Sequence, residues 1–325
     1  MSAARHRPWR QPAEEHAMAR LVTIAAAQLG PIARNDSRSH VVERLIAHLR
    51  EARRMGCDLV VFPELALTTF FPRWYMTNQI EIDSFFERSM PGPETQPLFN
   101  EAKRLSLGFY IGYAELTPEG QHFNTSILVG KDGQLIGKYR KVHLPGHREH
   151  DPARRFQHLE KRYFDLSDTG FKVWRGFGGV LGMAICNDRR WPETYRVMGL
   201  QGAEMILLGY NTPVHNPPAP DHDDLSLFHN QLVMQAGAYQ NGCWVIGVAK
   251  AGNEEGVPMI GGSQIIAPSG VTVAATRGDG DEMAVACCDL DACASYKSTT
   301  FNFAVHRMPQ HYGLIVERKG AEPPP

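Results

Sequence analysis

Three ionisable side chains stand where predicted strands end, two of them after apolar runs, and each is of a type that hydrolytic chemistry uses. Cys186 closes the run 180–186 and is followed by Asn187, Asp188, Arg189, Arg190, Trp191 and Pro192. That order predicts a strand turning sharply into a helix, with Pro192 in the first turn and Asn187 or Asp188 as its cap. Such an elbow holds a side chain out at the carboxyl end of a sheet, where α/β proteins build their sites. A thiol at a helix start beside guanidinium groups is expected to have a lowered pKa and to act as a nucleophile. Glu64 follows Phe62 and Pro63 at the end of a second run, and apolar surroundings would raise its pKa toward that of a general base. Lys141 ends another predicted strand, 134–141, where a desolvated ammonium can hold a developing oxyanion. Each also has a structural reading: Cys186 as packing, Glu64 as a loop cap, Lys141 as part of a solvated basic edge strand.

The elements that must position these groups follow from periodicity. Residues 21–28 are β-branched and apolar, a buried strand. Asp36 or Ser37 can cap a helix whose apolar positions Val41, Val42, Leu45, Ile46 and Leu49 recur at helical spacing, with Gly56 as its stop. A strand at 58–62, a helix over about 94–105 and strands at 109–116, 125–129 and 134–141 come next. Beyond a polar, His-rich loop lie strand 180–186, helix 192–200, strand 204–210 and a Pro-rich loop, 211–220. A helix over about 224–241 stops at Gly242, and strands at 244–249, 262–267, 271–275 and 283–289 complete the chain. The order predicts one α/β domain with mixed sheets. No internal repeat is visible.

Composition excludes several classes. The chain has 325 residues, with 34 Lys+Arg against 35 Asp+Glu, a balance that argues against a nucleic-acid partner. A hydrophobic content of 43 % argues against disorder. At this length a core forms without a metal or disulfide staple. None of the cysteines at 57, 186, 243, 287, 288 and 293 makes a C-x-x-C pair, so a zinc ribbon is not expected and a reducing cytoplasm suits the pattern. Residues 1–19 read as a disordered extension without a signal-peptide core, 20–316 as a single catalytic domain and 317–325 as a tail. No run of about 18 apolar residues is present to span a membrane. A cytoplasmic location is the expectation.

Together the three motifs resemble the nitrilase superfamily, over almost the whole chain from about Leu21 to Leu314. The segments 62–74 (FPELALTTFFPRW), 137–147, 156–164, 185–193, 209–218 and 307–314 are similar more narrowly to the N-carbamoyl-D-amino acid amidohydrolases. The resemblance implies a four-layer αββα sandwich, with chains pairing as a homodimer or homotetramer. It makes Cys186 the nucleophile, Glu64 the general base, Lys141 the oxyanion stabiliser and Glu160 a second glutamate that orients the site. Arg189 and Arg190, completed by Asn211 and Thr212, would clamp an α-carboxylate. Asn187 would bond the ureido group, while His143, His158 and His229 would line the pocket or support it. The implied reaction is hydrolysis of N-carbamoyl-D-amino acids to D-amino acid, ammonia and CO2.

Two alternatives stay open. N-carbamoyl-β-alanine or a simple amide could be the substrate of the same machinery. A metal-dependent amidohydrolase would instead use the histidines with the acidic residues 221–224. His143 and His147 are spaced like a ligand pair, but Leu144-Pro145-Gly146 between them breaks the helix such a pair needs. No metal, cofactor, nucleic acid or membrane is expected as a partner. The loop 149–155 departs from the family pattern and leaves the side-chain preference open.

Overall fold

A computed structural model describes residues 19–324. The first of its two large sheets holds β1 (Leu21–Gln28), β2 (Leu59–Val61), β3 (Gly108–Leu116), β4 (His122–Val129), β5 (Leu135–Arg140) and, at the far edge beside β1, β14 (Glu282–Asp289). The second holds β6 (Val173–Gly176), β7 (Gly179–Ile185), β8 (Met205–Tyr210), β9 (Trp244–Ala249), β12 (Gln264–Ile266) and β13 (Thr272–Ala275). A separate hairpin joins β10 (Ala251–Glu254) to β11 (Val257–Ile260). The long helices are α1 (Arg38–Arg54), α3 (Gln96–Leu105), α5 (Pro192–Leu200) and α6 (Ser226–Asn241), with α2 (Gln79–Asp83) and α4 (Glu160–Tyr163) as short turns between strands.

Four layers result, as the sandwich reading requires. Val41, Leu45 and Leu49 of α1 and Leu98 and Ala102 of α3 pack on the outer residues Ala25, Val60 and Ile111 of the first sheet. Ile24, Val61, Tyr110 and Leu128 share one cluster with Met183, Leu207 and Ile246 of the second sheet. Met198 of α5 and Met234 of α6 lie over Gly182 and Gly247, covering the other outer face. Each apolar side chain buried in this way contributes roughly 1.5–3 kcal/mol. Local signals set the helix ends. Ser37 caps α1 by accepting from the His40 N–H, and Gly242 ends α6 in the left-handed region.

The two sheets repeat one plan that no sequence repeat announces. In each, three strands consecutive along the chain run parallel, β1-β2-β3 and β7-β8-β9. One antiparallel strand flanks the first of the three, β14 on β1 and β6 on β7. Two more follow the third, β4-β5 and β12-β13. The carboxyl ends of β2 and β7 thereby come to the same end of the sandwich. Tyr110 ties the sheets there: its hydroxyl donates to the Ala184 carbonyl at 2.8 Å and accepts from the Gly209 N–H at 3.2 Å.

The expected extension 1–19 lies outside the described residues except for Ala19. At the other end, the one-turn helix Leu314–Glu317 reaches the expected tail boundary, and residues 318–324 are exposed. No helix among the described residues is long and apolar enough to cross a membrane.

Candidate active site

Glu64 leaves β2 through a channel that glycine keeps open. A Cβ at Gly209 would lie 2.5 Å from the Glu64 nitrogen, and one at Gly112 would lie 2.7 Å from its Cα. Only bare backbone on β3 and β8 lets this segment pass between the sheets. Its fully buried carboxylate accepts at Oε1 from Lys141 Nζ at 2.7 Å and from Asn124 Nδ2 at 2.8 Å. Oε2 has no hydrogen-bond partner among the described residues. Lys141 follows β5, and its backbone N–H is held by the Asn124 carbonyl at 2.9 Å. Its ammonium also meets Glu160 Oε2 at 2.6 Å, while Glu160 Oε1 lies 3.0 Å from His158 Nε2. One ammonium is thus shared by two buried carboxylates.

Cys186 opens a tight 3₁₀ turn, Cys186–Arg190, between β7 and α5. Its φ of 47° is strained for a residue with a side chain, a cost of about 1–3 kcal/mol that the surroundings must offset. Asp188 does part of this: its carboxylate accepts from the Ile185 N–H at 3.0 Å, the Tyr139 hydroxyl at 2.7 Å and the His143 N–H at 2.9 Å. Arg189 does the rest, donating to the Cys186 carbonyl at 2.6 Å, Thr212 Oγ1 at 2.9 Å and Asn230 Oδ1 at 2.7 Å. The thiol itself lies 3.7 Å from Thr212 Oγ1.

Burial is the largest influence on Glu64, Glu160, Lys141 and Cys186, and the neighbours decide the outcome. It pushes the Glu64 carboxyl above the ordinary carboxylate range, with help from Glu160 and against Lys141 and Asn124. At Glu160, burial is outweighed by Lys141 and His158, so this carboxyl stays ionised below the ordinary range. Burial alone would discharge Lys141; Glu160 and Glu64 hold its proton more firmly than usual. Cys186 is pushed up by burial and by Glu64, against Lys141 and Arg189. The expectation of a lowered thiol pKa is therefore corrected: the sequence showed the arginines but not the depth of burial.

Cys186 is reached from a cleft of about 500 Å³ lined also by Asn187, Arg190, Thr212, His158 and His229. Glu64, Lys141 and Glu160 lie behind it, fully buried. Among the described residues, no aspartate or glutamate lines this cleft, whereas Arg73, Arg154 and Arg190 do. Arg73 is paired with Glu254 and Arg154 with Asp151. Among the described residues, no aspartate or glutamate contributes to the electrostatics of Arg190.

The carbon-nitrogen hydrolase family model matches residues 23–298. The chain belongs to the carbon-nitrogen hydrolase family. An N-carbamoylputrescine amidase of Solanum lycopersicum is 31 % identical, over 94 % of this chain and 98 % of the relative. A citrullinase of Francisella tularensis is 27 % identical over 91 % of this chain and 99 % of its own. A carbon-nitrogen hydrolase of Helicobacter pylori superposes with a TM-score of 0.79 at 21 % identity, covering 92 % of this chain and 99 % of the other. The chain is a hydrolase of carbon–nitrogen bonds with the nitrilase-type sandwich.

Within this hydrolase, Glu64, Lys141, Glu160 and Cys186 converge as expected, but one substrate assignment needs correction. Arg189 is buried with its guanidinium bound to the protein and 4.5 Å over the Tyr210 ring. It buttresses Cys186 and does not line the cleft. His143 takes the supporting one of its two expected places, outside the cleft wall, joined to Asp188 at 2.9 Å and stacked on Trp191. Asn187, Arg190, Thr212, His158 and His229 line the cleft as expected, and Asn187 also donates to the His143 carbonyl at 3.2 Å. Asn211 is buried beside them with neither amide atom bonded among the described residues. The helix cap is corrected too: Asp188 caps the elbow turn, and α5 starts from Trp191 without a side-chain bond. Among the described residues, no cluster of three or more His, Cys, Asp or Glu is arranged to hold a metal. His147 Nδ1 bonds the Glu149 carbonyl at 2.7 Å and His215 Nδ1 bonds Asp223 at 2.6 Å.

Sequence reasoning missed Asn124 and Asp188 as site residues. Asn124 had one signal, a carboxamide in the apolar strand His122–Val129, where an unpaired polar group is costly.

Proposed function

We propose that this hydrolase cleaves N-carbamoyl-D-amino acids, with Cys186 as nucleophile and Glu64 as its base. The observation that carries the substrate class is the cleft that contains Arg190 and, among the described residues, no carboxylate, which suits a ureido compound bearing a carboxylate. The compound named for the Solanum relative, N-carbamoylputrescine, ends in an ammonium group and would meet only repulsion from Arg190. The D configuration rests on the resemblance of the six segments to N-carbamoyl-D-amino acid amidohydrolases.

As the Cys186 sulfur bonds the ureido carbon, its proton passes to the free Oε2 of Glu64, and Lys141 stabilises the resulting oxyanion. The departing nitrogen takes that proton from Glu64, leaving a thioester. Glu64 then removes a proton from water, whose oxygen attacks the thioester carbon and releases the Cys186 thiol. The second C–N bond breaks as the carbamic acid product decomposes, so one water and one ureido acid give amino acid, ammonia and CO2. Glu160 stays charged throughout and keeps Lys141 in place.

Ammonia release tests the reading, measured side by side on D- and L-N-carbamoyl amino acids, N-carbamoyl-β-alanine, citrulline and N-carbamoylputrescine. The D-ureido acids should be turned over best. Preference for N-carbamoylputrescine, or equal rates on both enantiomers, contradicts it. Arg190→Ala should raise KM for ureido acids about ten- to hundredfold, the worth of one charge-assisted bond, and leave a neutral amide little affected.

A further inference from the structure

The cleft carries a second chemistry that the reaction does not use. Opposite in character to the elbow, one stretch of its lining is apolar: Phe70, Phe156, Val257, Pro258 and Met259. Most of it comes from the β10–β11 hairpin and its tip. Phe156 lies 3.9 Å from where a Cβ on Gly256 would sit, so its ring packs over the bare glycine of the tip.

This wall is fixed rigidly to the reacting groups from two sides. On β11, the Ile260 N–H bonds the Thr212 carbonyl at 3.0 Å, and the Val214 N–H bonds the Pro258 carbonyl at 2.9 Å. Thr212 is the residue whose hydroxyl lies 3.7 Å from the Cys186 thiol. On β10, Glu254 is buried and holds the Phe70 N–H at 2.8 Å and Arg73 at 2.6 Å, with Lys250 at 3.1 Å on its other oxygen. Phe70 in turn packs edge-on against His158, which bonds Glu160. The hairpin therefore cannot shift without moving residues that touch the nucleophile and the second glutamate.

An α-substituted ureido acid has three arms: the ureido group, the carboxylate and the side chain. The thiol and Arg190 account for two of them. We propose that the hairpin wall, chiefly Phe156, Val257 and Met259, is the side-chain subsite and selects large apolar side chains, aromatic ones above all. The inference rests on the N-carbamoyl amino acid reading. A cleft of about 500 Å³ lies in the range that encloses a drug-sized ligand, so an alanine side chain would leave much of this wall uncovered.

The test is the ratio of kcat/KM for N-carbamoyl-D-phenylalanine over N-carbamoyl-D-alanine, in the parent and in folded Phe156→Ala, Met259→Ala and Val257→Trp variants. The parent should favour the phenyl substrate at least tenfold. The two truncations should lower the ratio about tenfold by weakening apolar contact, and Val257→Trp should lower it by filling the space. The inference is overturned if the parent shows no preference, or if no variant with a native circular-dichroism spectrum moves the ratio. Turnover of neither compound, with turnover of N-carbamoylputrescine instead, overturns the underlying reading and the inference with it.

Discussion

Glu64 and Glu160 grip the same ammonium, yet their surroundings drive their pKa values apart, which is how a buried pair of carboxyls is divided between roles. Glu64, held above the ordinary range and with one oxygen free, is the group suited to take a proton. Because the base must be ionised, kcat/KM should rise with pH through a limb above the ordinary carboxylate value of 4.5. Asn124 sets where that limb lies, since its bond to Glu64 favours the charged form. Asn124→Ala should shift the acid limb of the pH–rate profile to higher pH; a lowered rate with an unmoved limb would reduce Asn124 to packing. At this scale Cys186 and Glu64 were legible because each ends an apolar run, whereas Lys141 ends the polar segment QLIGKYRK and drew its role from the family resemblance. Arg189 and Arg190 were not separable, because adjacent identical residues differ here only in burial, which depends on Thr212 and Asn230 arriving from other elements.

Elements with strong periodicity emerged close to expectation, β1 at 21–28 and α5 at 192–200 among them. The β10–β11 hairpin did not: AGNEEGVPMI is rich in Gly and acidic residues, and the buried partners Arg73 and Lys250, with the Phe70 and Ile32 N–H groups, make Glu254 acceptable inside. Between the sheets, Tyr110→Phe should cost about 1–3 kcal/mol in denaturant unfolding, because the Ala184 carbonyl and Gly209 N–H lose a partner in a dry interior. Gly209→Ala should be more harmful to activity than Tyr110→Phe, since its Cβ would displace the Glu64 backbone itself. On β3, Glu115 offers a pH test of the fold. Burial raises its pKa, but Arg140, Lys138 and Thr125 outweigh it and bring it down to about 2. A depressed carboxyl stabilises above its unfolded value and ceases to do so below its folded one. Stability of order 2–3 kcal/mol should therefore be lost as pH falls from about 4.5 to about 2. Glu115→Gln should flatten the unfolding profile across that window.

For the whole molecule, the alternation of strands and helices announced an α/β sandwich, but not that its two sheets share one plan. That equivalence lives in strand order and direction, which different residues satisfy equally well. The plan has a functional result: the carboxyl ends of β2 and β7 deliver Glu64 and Cys186 from facing sheets to one buried point, with Lys141 arriving from β5. The near-balance of charge across the chain likewise concealed a cleft with Arg190 and no carboxylate lining it among the described residues. The most direct test of the central claim is ammonia release from an N-carbamoyl-D-amino acid by the parent and by Cys186→Ala, with unfolding curves showing both folded. The account predicts steady turnover by the parent and only the uncatalysed background from Cys186→Ala. A folded Cys186→Ala protein that keeps a substantial fraction of the parent rate would contradict it.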